Sequence, residues 1–362
     1  MPDAAIKSVS ASAFTIPTDA PEADGTFAWN STTLVLAEVN AGGKTGIGYS
    51  YTDAAAAVIV NGALAEAAAD LDALQIPLAH EVMLRRVRNI GRPGLVATAI
   101  AAVDSALWDL KGKLLDLPVV SLLGAARDAI PVYGSGGFTT YSIGRLKEQL
   151  GGWASQGMRW VKMKVGTDPA LDLDRVRAAT SAIGKAGLFV DANGAYSRKD
   201  ALSFAEGFAS LGVVYFEEPV SSDDLEGLRL IRDQAPNGMM IAAGEYGYDP
   251  YYFRRMLEAG ATDVQQADAT RCLGLTGFLQ ADVLCMAFSR PLSAHCAPAL
   301  HLHAALAARS FWNQEWFHDH VRIEHMLFDG APIPKDGVIR ADLSRPGLGL
   351  EFKHQDARQY AV

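Results

Sequence analysis

LFVDAN at residues 188–193, VVYFEEP at 213–219 and MIAAGE at 240–245 share one design: a short apolar run that ends on a carboxylate. The acids are Asp191, Glu217 and Glu245, separated by 26 and then 28 residues. Each gap holds one helix and the next strand, the period of a βα repeat. If the three runs are parallel neighbours in a closed barrel, their acids emerge at the same rim and can share one hard cation. An oxygen-only set of this kind suits Mg²⁺, with Mn²⁺ as a substitute, rather than zinc. Strand ends at that rim are where such barrels place their chemistry.

Outward from this stretch the rhythm continues in both directions. Strands are predicted at 130–133, 160–165, 188–190, 213–216, 240–243, 262–266, 291–294 and 311–314, with amphipathic stretches such as 173–183 and 201–211 between them. Eight strands with intervening helices predict a closed parallel barrel over residues 126–329. Residues 1–125 read differently. Strands at 6–14 and 33–51 include a hairpin of 33–39 with 45–51 across an Asn-Ala-Gly-Gly turn. Helix follows over 53–115, clearest where Val96, Ile100, Val103, Leu107 and Leu110 recur at three- and four-residue steps. This is a small α+β domain. Between its first strands, residues 15–31 read as a polar loop, either a lid or a solvated surface loop. The segment 330–362, rich in Pro and Gly, breaks the barrel rhythm and is expected to cross back to the first domain.

At 362 residues, two domains are the prior. A net charge of −9 and a pI near 5.4 argue against nucleic acid or an anionic membrane as partner. Cys272, Cys285 and Cys296 are odd in number and lack CxxC spacing, which fits a reducing compartment. No signal-peptide pattern opens the sequence, and no apolar run is long enough to span a bilayer. A cytoplasmic enzyme acting on a small molecule is the expectation.

Four further positions carry possible chemistry. In VKMKV (161–165), Lys162 and Lys164 share one strand face. Two close ammonium groups disfavour each other's charge and lower a lysine toward general-base range. An isolated pair of this kind is more often a solvated strand end. His295 follows Asp268 by 27 residues, again one βα unit, so the carboxylate can accept the imidazole Nδ1–H. His301 and His303 read as structural, and His318, His320 and His325 as loop residues. Glu315, in FWNQEWF (311–317), sits among aromatic residues that would desolvate it, keep it protonated and let it donate a hydrogen bond.

Taken together, Lys162, Lys164, Asp191, Asn193, Glu217 with Glu218 and Pro219, Gly244 with Glu245, Asp268, His295 and Glu315 resemble the enolase superfamily, in its mandelate racemase subgroup. The stretch AVDSALWDLKGK (102–113) resembles that family's capping domain. The resemblance spans nearly the whole chain and implies an α/β fold: a (β/α)7β TIM-like barrel with an N-terminal α+β capping domain completed by the C-terminal segment. It implies that Asp191, Glu217 and Glu245 bind Mg²⁺, which chelates a substrate carboxylate, with Asn193 beside the metal. Lys164 is then a base on one face of the α-carbon, tuned by Lys162, and His295 with Asp268 faces the other side. Glu315 hydrogen-bonds the carboxylate oxygen that becomes charged in a metal-stabilised enediolate. Two outcomes stay open: loss of a β-hydroxyl from an acid sugar to a 2-keto-3-deoxy product, which is favoured, or racemisation or epimerisation of a 2-hydroxy acid such as a mandelate. A cycloisomerase ranks below both, because those subgroups resemble having lysine where His295 stands. A catalytically silent metal-binding barrel is the remote alternative. Asp19, Glu22 and Asp24 in the lid are expected to accept sugar hydroxyls and to repel a second carboxylate, favouring an aldonate. Phe27 and Trp29 could instead line an apolar pocket, and Tyr133 is a further substrate-contact candidate. The resemblance also suggests a symmetric homo-oligomer, an octamer.

Overall fold

The computed structural model describes residues 4–362. Its first element is an antiparallel sheet of β1 (Ser8–Ala23), β2 (Ala28–Ala41) and β3 (Lys44–Tyr51), in that order. One face packs on the helix Leu95–Leu115, whose small and branched residues Ala99, Ala102, Val103 and Ala106 are buried throughout. The approach is so close that a Cβ on Gly48 would lie 2.3 Å from the Ala102 carbonyl oxygen.

The stretch 15–31, expected as a polar loop, is instead the far half of a long hairpin. Thr15 and Pro17 pair with Thr33 and Ser31, and after a register shift Glu22 pairs with Trp29. The prolines that argue against a strand are tolerated because β1 is an edge strand, where a missing N–H breaks no interior ladder.

A second sheet closes on itself as the barrel: β4 (Ile130–Gly136), β5 (Trp160–Lys164), β6 (Gly187–Asp191), β7 (Val213–Glu217), β8 (Met240–Ala243), β9 (Val264–Ala267), β10 (Leu292–Ala294) and β11 (Phe311–Phe317). All neighbours are parallel, and β11 pairs back to β4 with Glu315 opposite Tyr133. A helix separates each strand from the next, so the (β/α)7β order read from the sequence is the one observed. Alternation along the strands sorts the side chains. Val161, Met163, Leu188, Val190 and Phe216 face the helices, while Tyr133, Phe189 and Tyr215 fill the lumen with Trp160 and Trp312. Above this aromatic plug the next inward layer is charged, and it is there that the site lies.

After the helix His318–Leu327, the chain end turns back. Val338–Ile339 pairs with the start of β4, Glu351–Phe352 pairs with Phe328–Asp329, and Ala361 bridges to Phe14 of β1. Asp109, wholly buried, accepts the amide N–H groups of Ile47 and Leu348 and pairs with Lys113. One carboxylate thus ties the sheet, the long helix and the returning segment together. Among the described residues, no helix is long and apolar enough to cross a membrane.

Candidate active site

The three acids that opened the sequence reading stand at adjacent strand ends. Asp191 and Glu217 are the last residues of β6 and β7, and Glu245 lies two residues beyond β8. A donor oxygen from each falls within 4.8 Å of the others, and all three side chains are buried. Charge confined this way needs a counter-charge. Lys162, wholly buried, lies 2.8 Å from both oxygens of Glu217, 2.8 Å from Glu315 Oε1 and 3.6 Å from Asp191. Lys164 lies 2.5 Å from Asp191 and 3.0 Å from Asn193 Oδ1. As the alternation on β5 predicts, both lysines enter the barrel mouth.

The expected lowering of a lysine does not occur in this arrangement. Burial works against both ammonium ions, but Glu217 and Glu315 outweigh it at Lys162, and Asp191 does so at Lys164, so both are raised. The carboxylates take up the cost. Burial and the neighbouring Asp191 push Glu217 up to about 8, against the opposing pull of Lys162. Glu245 moves the other way: burial raises it, but His295 and Arg271 hold it well below the usual carboxylate range. Three buried carboxylates, two of them paired with lysines and Glu245 with Arg271 and His295, form an oxygen-only donor set, and the residues present fit a hard divalent cation.

On the far side of this cluster, His295 lies just past β10. Its Nδ1 is 2.8 Å from Asp268 Oδ2 and its Nε2 is 3.1 Å from Glu245 Oε2. Burial lowers the imidazole, but Cys296, Glu245 and Glu315 together raise it well above its ordinary value, so it carries a proton here. Glu315 departs from the sequence expectation twice. It lies inside β11, which runs on to Phe317, and it is an acceptor. Burial alone would raise it, yet Lys162 and His295 hold it below the usual range. Ser135 Oγ and the Cys296 amide donate to it at 2.6 and 2.9 Å. The aromatic flanks read from the sequence are present, but ion pairing overrides their desolvation.

These groups open into a cleft of ≈430 Å³ between the barrel mouth and the β1–β2 hairpin. Its floor carries Lys164, Asn193, Glu245, Arg271, His295 and Cys296, and its far walls carry Asp24, Phe27, Trp29, Thr32, Tyr51, Phe317 and His320. The hairpin tip is pinned to the barrel: Thr167 and Thr139 donate to the Asp24 carbonyl, and Thr140 to that of Pro21. Gly25 is required at the tip, because a Cβ there would stand 2.3 Å from the Ala192 carbonyl oxygen.

Of the expected substrate contacts, Asn193, Phe27 and Trp29 line the cleft. Tyr133 does not. It lies wholly buried in the lumen, 5.5 Å below Lys162, since strand alternation puts it one layer beneath Ser135. Asp19 is also displaced: it pairs with Arg145 and His318 of the barrel and does not line the cleft. Glu22 is buried, accepts from the Trp29 indole and is pushed up to about 8 by burial and by Asp319. Only Asp24 of the three lid acids reaches the cleft.

Sequence reasoning did not single out Arg271, Cys296, Ser135 or His320. Arg271 follows Asp268 by three residues, in the turn before the helix Gly274–Ala287, and binds Glu245 at 3.2 Å. His320, taken as a loop residue, is buried in the helix after β11 and stacks on Tyr51 at 3.5 Å. Ser135 was accessible in principle, two residues past Tyr133 on the same strand face. His301 and His303 are structural as expected, their rings accepting from the amides of Ala269 and Val120.

Residues 14–124 match the model of the mandelate racemase / muconate lactonizing enzyme N-terminal domain, and residues 145–357 match that of the enolase C-terminal domain-like family. A 3,6-anhydro-alpha-L-galactonate cycloisomerase of Streptomyces coelicolor is 32% identical over 88% of this chain and 89% of its own. The L-talarate/galactarate dehydratase of Salmonella typhimurium is 30% identical over 90% and 82%. The structure of that dehydratase liganded with Mg and L-lyxarohydroxamate superposes with a TM-score of 0.89, at 27% identity over 99% of this chain and 93% of that one. A mandelate racemase/muconate lactonizing enzyme-like protein from Rubrobacter xylanophilus superposes with a TM-score of 0.97, at 50% identity over 99% and 100%.

Proposed function

The chain belongs to the mandelate racemase / muconate lactonizing enzyme family of the enolase superfamily, and from that membership we propose that it is a magnesium-dependent sugar-acid dehydratase. Its substrate is a monocarboxylic polyhydroxy acid, an aldonate, and its product the 2-keto-3-deoxy acid. One observation carries the reading: two proton carriers flank the carboxylate trio, Lys164 on the Asp191 side and His295 on the Glu245 side.

Asp191, Glu217 and Glu245 would hold the Mg²⁺, or Mn²⁺ in its place. Bound there, the ion supplies positive charge toward the substrate carboxylate, where negative charge gathers as the α-proton leaves. The charge on Lys164 rests on Asp191, and Lys162 opposes it. Once Asp191 is engaged elsewhere, the two close ammonium groups favour a neutral Lys164 amine that can take the α-proton. Lys162, held by Glu315, keeps its charge and donates toward the same developing oxyanion. His295, protonated and aligned by Asp268, gives its Nε2 proton to the β-hydroxyl, which departs as water with its bonding electrons. The resulting enol tautomerises to the keto acid.

The cleft supports a polyhydroxy monoacid. Thr26, Ser31, Thr32, Thr33 and Thr52 offer hydroxyl partners, and Asp24 offers a carboxylate. Among the described residues, the Lys and Arg that line it are Lys164 and Arg271, both already ion-paired. His320, pushed down to about 3 by burial, is neutral. Among the described residues, no cation lining the cleft is left over for a second carboxylate. Cycloisomerisation, ranked low on the sequence, becomes the second reading, because the Streptomyces relative is named as a cycloisomerase with 32% identity. It needs the same proton abstraction, with a ring oxygen leaving instead of a hydroxyl.

The test is a panel of aldonates, aldarates, anhydro-aldonates and mandelate incubated with the protein and Mg²⁺ in D₂O. Keto acid released from an aldonate is the expected result. Release from aldarates alone would overturn the monoacid assignment, and α-proton exchange without any keto acid would overturn elimination.

A further inference from the structure

We propose that His295, Cys296 and Glu315 form a second cation site, for a soft divalent ion of the Zn²⁺ type, and that its occupation silences the enzyme. The site is distinct in chemistry from the oxygen-only trio beside it, because it offers one imidazole nitrogen, one sulfur and one carboxylate oxygen. Cys296 Sγ lies 3.3 Å from His295 Nε2 and 3.4 Å from Glu315 Oε2, and His295 Nε2 lies 3.6 Å from Glu315 Oε2. Zinc bonds of ~2.0–2.3 Å at tetrahedral angles put neighbouring donors of this kind roughly 3.3–3.6 Å apart. The triad therefore has nearly the required edges before any ion arrives.

Its surroundings match as well. His295 directs Nδ1 at Asp268, 2.8 Å away, which leaves Nε2 as the ligand atom in a carboxylate–histidine–metal arrangement. Glu315 spends Oε1 on Ser135 and Lys162 and turns Oε2 to the triad. A thiolate and a carboxylate supply the two negative charges a divalent ion needs, and the thiol proton and the Nε2 proton of His295 leave to solvent on binding. Cys296 and Ala297 both take left-handed backbone, with φ of 51° and 39°. Non-glycine residues pay for that conformation, and here it swings Sγ back over His295. All three side chains are more than nine-tenths buried, yet His295 and Cys296 form part of the cleft floor, so an ion they hold adjoins the substrate space. An ion there occupies the nitrogen that must otherwise deliver the proton. The silencing rests on the acid role proposed for His295, whereas the binding does not.

The probe is Cd²⁺ added to protein saturated with Mg²⁺, read by thiolate-to-metal charge-transfer absorption in the ultraviolet. One equivalent should develop the band in the wild type and in a Cys272→Ala/Cys285→Ala variant, and Cys296→Ser should lose it. Zn²⁺ should compete the band away. Its affinity should fall about 100-fold or more in Cys296→Ser and roughly 10–100-fold in Asp268→Asn, where only the supporting hydrogen bond changes. Unchanged far-ultraviolet circular dichroism would show that the variants fold. No band in the wild type, or a band surviving Cys296→Ser, would overturn the site. In a second arm, Zn²⁺ should abolish keto-acid release in the wild type and leave Cys296→Ser at its own zinc-free rate. A band with undiminished keto-acid release would overturn the silencing alone. If no hydroxy acid yields keto acid at all, the dehydratase reading fails while the absorption result still decides the site.

Discussion

Lys162→Met removes the cation on which the metal-free cluster depends while keeping a side chain of similar length. The ammonium touches two carboxylates at 2.8 Å and a third at 3.6 Å, with no exposure to water. One such contact is worth roughly 6 kcal/mol at an effective dielectric of 20 before desolvation is charged against it. Measured losses on breaking buried pairs run to about 3–5 kcal/mol. The cluster has one escape, which is to take up a proton. Glu217, already pushed up to about 8, loses in Lys162 the chief group holding it down, so it moves higher. A carboxylic acid whose folded pKa is raised binds a proton that the unfolded chain has released. Stability therefore falls as pH rises from about 4.3 to the folded value, and the full penalty applies above it. In EDTA, Lys162→Met should lose about 3–5 kcal/mol at pH 9, or roughly 6–20 °C on the barrel's melting transition. At pH 6 the loss should be smaller. Mg²⁺ at about 100 times its dissociation constant should return ~2.7 kcal/mol. Thermal melts followed by circular dichroism at both pH values, with and without Mg²⁺, measure all three effects. A variant melting within about 2 °C of the wild type at pH 9 would refute the reasoning, as would a greater loss at pH 6.

Lys164→Ala and His295→Asn should each cut dehydration by about 10²–10⁴-fold while the Mg²⁺-induced rise in melting temperature persists; full activity in both would sink the two-base assignment. Trp29→Ala removes an aromatic wall that also binds Glu22 at 2.8 Å, so KM should rise about tenfold with kcat little changed; steady-state kinetics on the identified substrate decide it. Gly48→Ala forces a methyl to 2.3 Å from the Ala102 carbonyl and should destabilise by about 1–3 kcal/mol, seen as a lower melting temperature with the site chemistry intact. His80 sits 3.0 Å from the buried Asp104, and although burial lowers it, that carboxylate raises it above its ordinary value. The pair's contribution is therefore full below about pH 6.5 and is lost as pH rises through the folded pKa. The melting difference between wild type and His80→Gln should shrink from pH 6 to pH 9, and a constant difference would exclude the linkage.

The amino-acid sequence by itself determined the barrel, its strand order and the ends at which charge gathers, because a period of one βα unit leaves few topologies for Asp191, Glu217 and Glu245. Strand alternation on β5 alone was enough to send Lys162 and Lys164 to one face. Tertiary structure decided what depends on neighbours distant in the chain. Glu315 sits among aromatic residues in sequence, yet Lys162 from the opposite part of the chain keeps it an acceptor. The polar, proline-bearing stretch 15–31 forms strand because its partner β2 and the barrel loops satisfy its backbone, and no local signal carries that information. Arg271, Cys296 and His320 reach the cleft through helix starts and a left-handed turn whose direction only the packed chain fixes. Periodicity is a local property and was legible; the ionisation of a buried group is set by the sum of its spatial neighbours, and that sum exists only once the chain has folded.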